Sequence, residues 1–302
     1  MATSVLDLFT PATSTWFTGA FAAPTEAQTG AWLAAAAGEH ALVVAPTGSG
    51  KTLAAFLWAL DRLAVEGAPA DPKHRCRVLY VSPLKALAVD VQRNLRAPLA
   101  GIRQAAHRLD LPEPDITVGM RTGDTPADER RAFAKRPPDV LVTTPESLFL
   151  LLTSAARESL RGVRTVIVDE VHAVAGAKRG SHLALSLERL DALLDKPAQR
   201  IGLSATVRPV DEVSGFLCGG RPVTVVQPKS AKTIEVSVEV PVEDMASLTE
   251  QPAQVDLDAP EPARPSIWPM VERRILELVR QHHSTIVFAN SRRLAERMTA
   301  RL

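Results

Sequence analysis

Apolar residues in the first 228 positions come in short unbroken runs, separated by stretches in which they recur every three or four positions. ALVVA, RVLYVSP, DITVGMRT, DVLVTTP, TVIVDEV and RIGLSAT read as strands buried on both faces. TLAAFLWALDRLA, with Leu53, Phe56, Leu57, Leu60 and Ala64 on one face, reads as a helix, and the alanine cluster at 34–37 suits one too. Alternation of this kind predicts an α/β domain, a mostly parallel sheet between helical layers.

The texture changes after about residue 228. EVSVEVPV at 235–242 alternates valine with polar residues as a half-exposed strand would, Pro241 placing it near an edge. The proline-rich, acidic stretch that follows has no period, and a mobile loop is expected over 243–266. WPMVERRILELVRQ then reads as an amphipathic helix, TIVFAN as a strand and SRRLAERMTARL as the start of a helix. We therefore expect one domain over 1–228 and the beginning of a second over 229–302.

Composition narrows the class only a little. A 302-residue chain that is 46% hydrophobic and 23% charged can build a sizeable core with a solvated surface. Its net charge of +1 gives no global basic field, so any nucleic-acid contact must come from a local groove. Cys76 and Cys218 stand far apart with no ligand-like neighbours, which argues against a disulfide scaffold or a zinc site. The N-terminus lacks the basic lead of a signal peptide, and no apolar run nears the roughly 18 to 20 residues that span a bilayer. No membrane association and a cytoplasmic location are expected.

The chemistry begins at 41–52, ALVVAPTGSGKT, a strand running into a glycine turn that ends in Lys-Thr. Thr47, Gly48, Ser49 and Gly50 can turn consecutive N–H groups onto the phosphates of a nucleotide, with a helix N-terminus aimed at the same spot. Lys51 can reach the β- and γ-phosphates of ATP, and the Thr52 hydroxyl can ligate Mg²⁺. Ala45 stands where the strict pattern has glycine. TVIVDEVH at 165–172 supplies adjacent carboxylates at a strand end: Asp169 for the metal, Glu170 to orient and deprotonate the attacking water. A transporter-type ATPase is disfavoured by the lack of an LSGGQ-like signature.

The succession APTGSGKT, SPLKAL (82–87), RTGDT (121–125), TTPESL (143–148), DEVH (169–172) and LSAT (203–206) resembles superfamily 2 helicases. Its wording is similar to the large helicase-related family of bacterial and archaeal ATP-dependent DNA helicases. The resemblance runs from PTEAQ at 24–28 to TIVFANSR at 285–292. It implies a RecA-like P-loop domain followed by the truncated start of a second one, in an N-terminal fragment of a longer enzyme. The implied activity is movement along single-stranded DNA driven by Mg-ATP hydrolysis, with RNA or a DNA–RNA hybrid as alternative tracks and DNA repair as the setting. The fragment is expected to bind ATP, hydrolyse it slowly and not unwind alone, since a trans-acting arginine contributes about 10³ to 10⁵ in rate. A nucleotide-controlled binding module without productive turnover is the rival reading.

Site residues follow from the same resemblance. Gln28 looks like the glutamine that reads the adenine edge, with helix capping as its plainer role. Phe9 is either a base-stacking ring or a core anchor. Ser82, Lys85, Arg121, Thr122 and Thr144 resemble the groups that grip the backbone of one strand. His172, Ser204 and Thr206 look like the relay between phosphate site and groove, a role compatible with a hydrogen-bonded core cluster.

Overall fold

The computed structural model describes residues 4–205, 207–229, 235–240 and 267–301, and at 85–87, 89, 92 and 93 the backbone alone. The apolar runs assemble into one seven-stranded sheet of β1 (His40–Val44), β2 (Val78–Val81), β3 (Val118–Arg121), β4 (Val140–Thr143), β5 (Thr165–Val168), β6 (Gln199–Ser204) and β7 (Val223–Val226). Its order is β3-β4-β2-β5-β6-β1-β7 and every pairing is parallel. Six strands fall on the runs read from sequence. The seventh was not anticipated: VTVV lies beside β1 at the register His40↔Val223.

Helices cover both faces, which is why the strands read as continuous apolar runs. They are α1 (Pro11–Ala20), α2 (Glu26–Ala36), α3 (Lys51–Glu66), α4 (Lys85–Arg108), α5 (Ala127–Lys135), α6 (Pro145–Leu152), α7 (Val171–Ala175), α8 (Lys178–Leu193) and α9 (Val210–Cys218). Alternate residues along each strand point to opposite layers. Val43, Tyr80, Ile167 and Leu203 meet Phe56, Leu57 and Leu60 of α3, whereas Leu42, Leu79 and Val166 meet Leu148, Leu187 and Leu217 on the other side. This is the RecA-like arrangement. Phe9 belongs to its first layer: it is buried, edge-on to Trp32 at 4.8 Å and to Trp58 at 5.7 Å, so it is a core anchor and the base-stacking alternative is set aside.

Charged knots tie the opposite, N-terminal edge of the sheet. Asp139, fully buried just before β4, accepts from Arg75 Nε at 2.8 Å, Arg77 Nη2 at 2.7 Å, and Thr117 N and Oγ1 at 2.9 and 2.8 Å. Burial pushes its carboxyl up, but these donors more than offset that, and the group titrates below its ordinary 3.8. Arg200, 1% exposed, donates to Leu217 O at 2.8 Å and to Asp191 Oδ2 at 2.7 Å, and Arg221 donates to the same Asp191 oxygen at 2.8 Å. Among the described residues no helix is long and apolar enough to cross a membrane.

The described residues separate into two compact units, Met1–Ala231 and Lys232–Leu302. The second holds α10 (Trp268–Gln281) and α11 (Arg292–Arg301), where Arg297 lies over the Trp268 ring at 5.0 Å and Arg274 Nε donates to Glu239 Oε2 at 2.6 Å. Two sequence expectations fail here. Residues 235–240 and 285–289 form no sheet ladder, and Val236 and Val238 are 83% and 91% exposed. Alternation prepares a strand, but a strand exists only where a neighbour completes its hydrogen bonds, and none does among the described residues. The loop expected at 243–266 lies outside them.

Replacing Asp139 with alanine should strip two buried or half-buried arginines of their carboxylate and cost about 3 to 5 kcal/mol in urea unfolding. Because the native pKa lies below the unfolded one, this contribution is present at neutral pH. It is lost as pH falls through the depressed value, so Asp139→Asn should flatten the acid limb of the stability curve.

Candidate nucleotide and strand-binding site

A parallel sheet delivers all its strand C-termini to one edge, where open α/β sheets bind ligands. Register makes this concrete: Val44 lies opposite Ser204, Val168 opposite Gly202, Val81 opposite both Val168 and Thr143, and Arg121 opposite Thr143. The edge divides into two halves. Over β1, β6 and β5 stand the glycine turn, the Asp-Glu pair and Ser204; over β2, β4 and β3 stand Ser82, Thr144 and Arg121.

The turn between β1 and α3 is built by Gly48 and Gly50 at φ +82° and +80°, a conformation that favours glycine. Lys51 Nζ donates to Ala45 O and, at 2.9 Å, to Pro46 O. Burial lowers its pKa, against the raising pull of Glu170 and Asp169. Ser49 Oγ is buried without a partner, a donor left for a ligand, and Thr47 is exposed. Thr52 sits in the first turn of α3. A concave loop with one ammonium, a free hydroxyl and a helix N-terminus fits nucleotide phosphates. Beside it, a buried carboxylate and the Thr52 hydroxyl make an all-oxygen donor set that suits Mg²⁺.

Gln28 is buried at the N-terminus of α2, where its Oε1 accepts from Thr25 N at 2.9 Å in a capping box. Its amide nitrogen also lies against Gly50, only 2.5 Å from where a Cβ would stand. Thr25 Oγ1 donates to Ser49 O at 2.9 Å. The cap and the phosphate loop are thus stapled together.

Asp169, 8% exposed, accepts from Glu170 N at 2.9 Å through Oδ1 and from the Tyr80 hydroxyl through Oδ2. Burial raises its pKa, opposed by the Tyr80 hydrogen bond, Glu170 N–H and the charge of Lys51. Glu170 stands at φ +45°, ψ +46°, a left-handed conformation that turns the chain into α7. His172 Nδ1 accepts from Ala205 N at 3.3 Å and lies 3.2 Å from Ser204 Oγ. Glu170 Oε2 lies 3.4 Å from the same nitrogen. Thr206 lies outside the described residues.

The other half of the edge is less open than expected. Ser82 is fully buried, its hydroxyl donating to Leu84 O at 3.0 Å. Thr144 is buried as the N-cap of α6, with Oγ1 accepting from Ser147 N at 3.4 Å. Thr122, also buried, donates its backbone N–H to Thr125 Oγ1 at 2.9 Å. Arg121 differs: its guanidinium lies 5.4 Å over the Phe133 ring with Nη1 buried and unpaired, and burial with Arg130 nearby lowers its pKa. Lys85 opens α4, its backbone alone being described.

Sequence reasoning missed Tyr80, Thr25, Phe133 and the bidentate pair of Arg179 with Glu146, whose carboxyl it holds down to about 2. Only Tyr80 carried a signal, as the single tyrosine of the chain, set in an otherwise apolar strand.

Comparison with known proteins agrees with this geometry. A family model described as DEAD/DEAH box helicase matches residues 25–213. The chain is 64% identical over 98% of its length to an Lhr helicase of Mycolicibacterium smegmatis and 57% identical over 98% to the Lhr helicase/uracil glycosylase of Escherichia coli. It spans 19% and 20% of those two relatives. The solved Mycobacterium smegmatis helicase Lhr bound to ssDNA and AMP-PNP superposes with a TM-score of 0.80 at 63% identity, covering 99% of this chain and 36% of that one. A phosphate loop, an Asp-Glu strand end and a His-Ser contact on one edge of a RecA-like sheet, matched over 25–213, place the chain in the DEAD/DEAH box helicase family, with strong homology to Lhr helicases.

Proposed function

We propose that this chain is the nucleotide-hydrolysing, strand-gripping part of a superfamily 2 motor that couples Mg-ATP hydrolysis to movement along single-stranded DNA. The observation that carries the reading is the shared edge: β5, bearing Asp169 and Glu170, pairs with β2, bearing the SPLKAL segment, so nucleotide and strand would sit side by side. The ssDNA and AMP-PNP named for the Mycobacterium smegmatis relative support both ligands.

Lys51 would exchange its loop carbonyls for β- and γ-phosphate oxygens, and the N–H groups around Gly48 and Gly50 would hold the rest of the chain of phosphates. Mg²⁺, held by Thr52 and Asp169, would neutralise charge developing on the phosphate oxygens. Glu170, partly exposed and fixed by its left-handed backbone, would take the proton of the attacking water. His172 and Ser204 would report the state of that site to β6 and the strand side. Arg121 would pair with a strand phosphate through its guanidinium. Movement needs two bodies that close and reopen around the nucleotide. Spanning 19% and 20% of the length of its two Lhr relatives, the chain is expected on this reading to bind ATP, hydrolyse it slowly and not unwind alone.

Nucleotide titrations and steady-state hydrolysis test this. Lys51→Ala should abolish ATP binding at micromolar nucleotide, and unchanged binding would remove the phosphate site. In the full-length protein, Glu170→Gln should bind ATP as before while turnover stimulated by single-stranded DNA disappears; surviving turnover would assign the base elsewhere. Arg121→Ala should weaken strand affinity equally across sequences and lower the salt slope by about one. Thr144→Ala, by contrast, should show itself first as a loss of about 1 kcal/mol of stability, the cost of an N-cap.

A further inference from the structure

Asp169 has a partner for which the proposed function finds no use. Tyr80 stands inside β2, is fully buried, and donates its hydroxyl to Asp169 Oδ2, while Oδ1 is held by Glu170 N–H at 2.9 Å. Each carboxylate oxygen thus keeps one protein donor, and turning the group about its Cβ–Cγ bond would break both bonds. Burial and the Asp169 carboxylate push the phenol well above its ordinary 10, so the hydroxyl remains a donor.

The ring itself is fixed. It stacks on Phe56 with centroids 4.7 Å apart and planes 21° apart. Phe56 follows Thr52 by one helical turn on α3, and residues four apart share a helix face. Across the sheet Tyr80 lies opposite Ile167, so Asp169, two residues on, emerges on the same face. Thr52 and Asp169, the two side chains proposed to share the metal, are therefore linked through Phe56 and Tyr80. Phenylalanine would fill the same space, and burying a hydroxyl only for packing gains nothing.

We propose that Tyr80 is a positioning residue for magnesium: its hydroxyl holds the Asp169 carboxylate in the orientation that lets it share the ion with Thr52. The proposal rests on the nucleotide reading given above. Outer partners of metal ligands typically change metal affinity by about 10- to 100-fold when removed.

The test is Tyr80→Phe, with binding of a fluorescent ATP analogue followed as Mg²⁺ is titrated and again in EDTA. About tenfold more Mg²⁺ should be needed for half of the metal-dependent gain, while metal-free affinity changes less than about twofold. In an Asp169→Asn background the same substitution should have no further effect. An unchanged Mg²⁺ requirement, an equal loss of metal-free binding, or an effect that persists with Asp169→Asn would each overturn the proposal.

Because the chain has one tyrosine, uniform 3-fluorotyrosine labelling puts a single fluorine on this ring without a substitution. Its resonance should move when nucleotide is added with Mg²⁺ and stay put with nucleotide in EDTA; identical shifts in both would also overturn the proposal. A wild-type chain that binds no nucleotide, with or without Mg²⁺, would instead sink the nucleotide reading, and this inference with it, whereas nucleotide binding without any Mg²⁺ dependence would overturn this inference alone.

Discussion

Every strand of the sheet runs the same way, and the rest of the molecule follows from that constraint. Parallel pairing sends six motif-bearing turns to a single edge, although they are scattered over the 166 residues of sequence from the loop at 41–52 through LSAT at 203–206. It also requires a crossover after each strand, and the helices that make the crossovers bury both faces. Chemistry is thereby confined to the rim. The central pairing of β5 with β2 would, on the proposed reading, put hydrolysis and grip on neighbouring strands.

The opposite rim shows what the arginine-rich composition is for. Arg75, Arg77, Arg200 and Arg221 are drawn into bonds with Asp139, Asp191 and backbone carbonyls, where the last turns of helices leave unpaired acceptors. These cations are scaffold. A near-neutral chain is compatible with a few cations, such as Arg121, serving a strand groove.

The phosphate loop and the Asp-Glu strand end were legible because their chemistry is carried by contiguous residues: glycines at positive φ followed by Lys-Thr, or two acids ending an apolar run. What the sequence hid depends on distance or on double use. Tyr80 meets Asp169 across 89 positions, and no local pattern announces such a contact. Thr144 and Gln28 have hydroxyl and amide groups that suit a ligand but equally suit the helix N-terminus beside them, and the backbone claims them. The valines at 236, 238 and 240 alternate faultlessly yet remain in solvent, because periodicity describes one strand and a sheet takes two.

Glu170 carries a tension that selection must manage. The left-handed backbone it occupies costs a side chain on the order of 1 kcal/mol or more, and glycine or asparagine would rest there more comfortably. A search for stability alone would therefore drift away from glutamate at this position. A chain that used the fold only as a passive nucleotide switch would gain stability by giving the glutamate up, whereas one that used it for turnover would bear the strain.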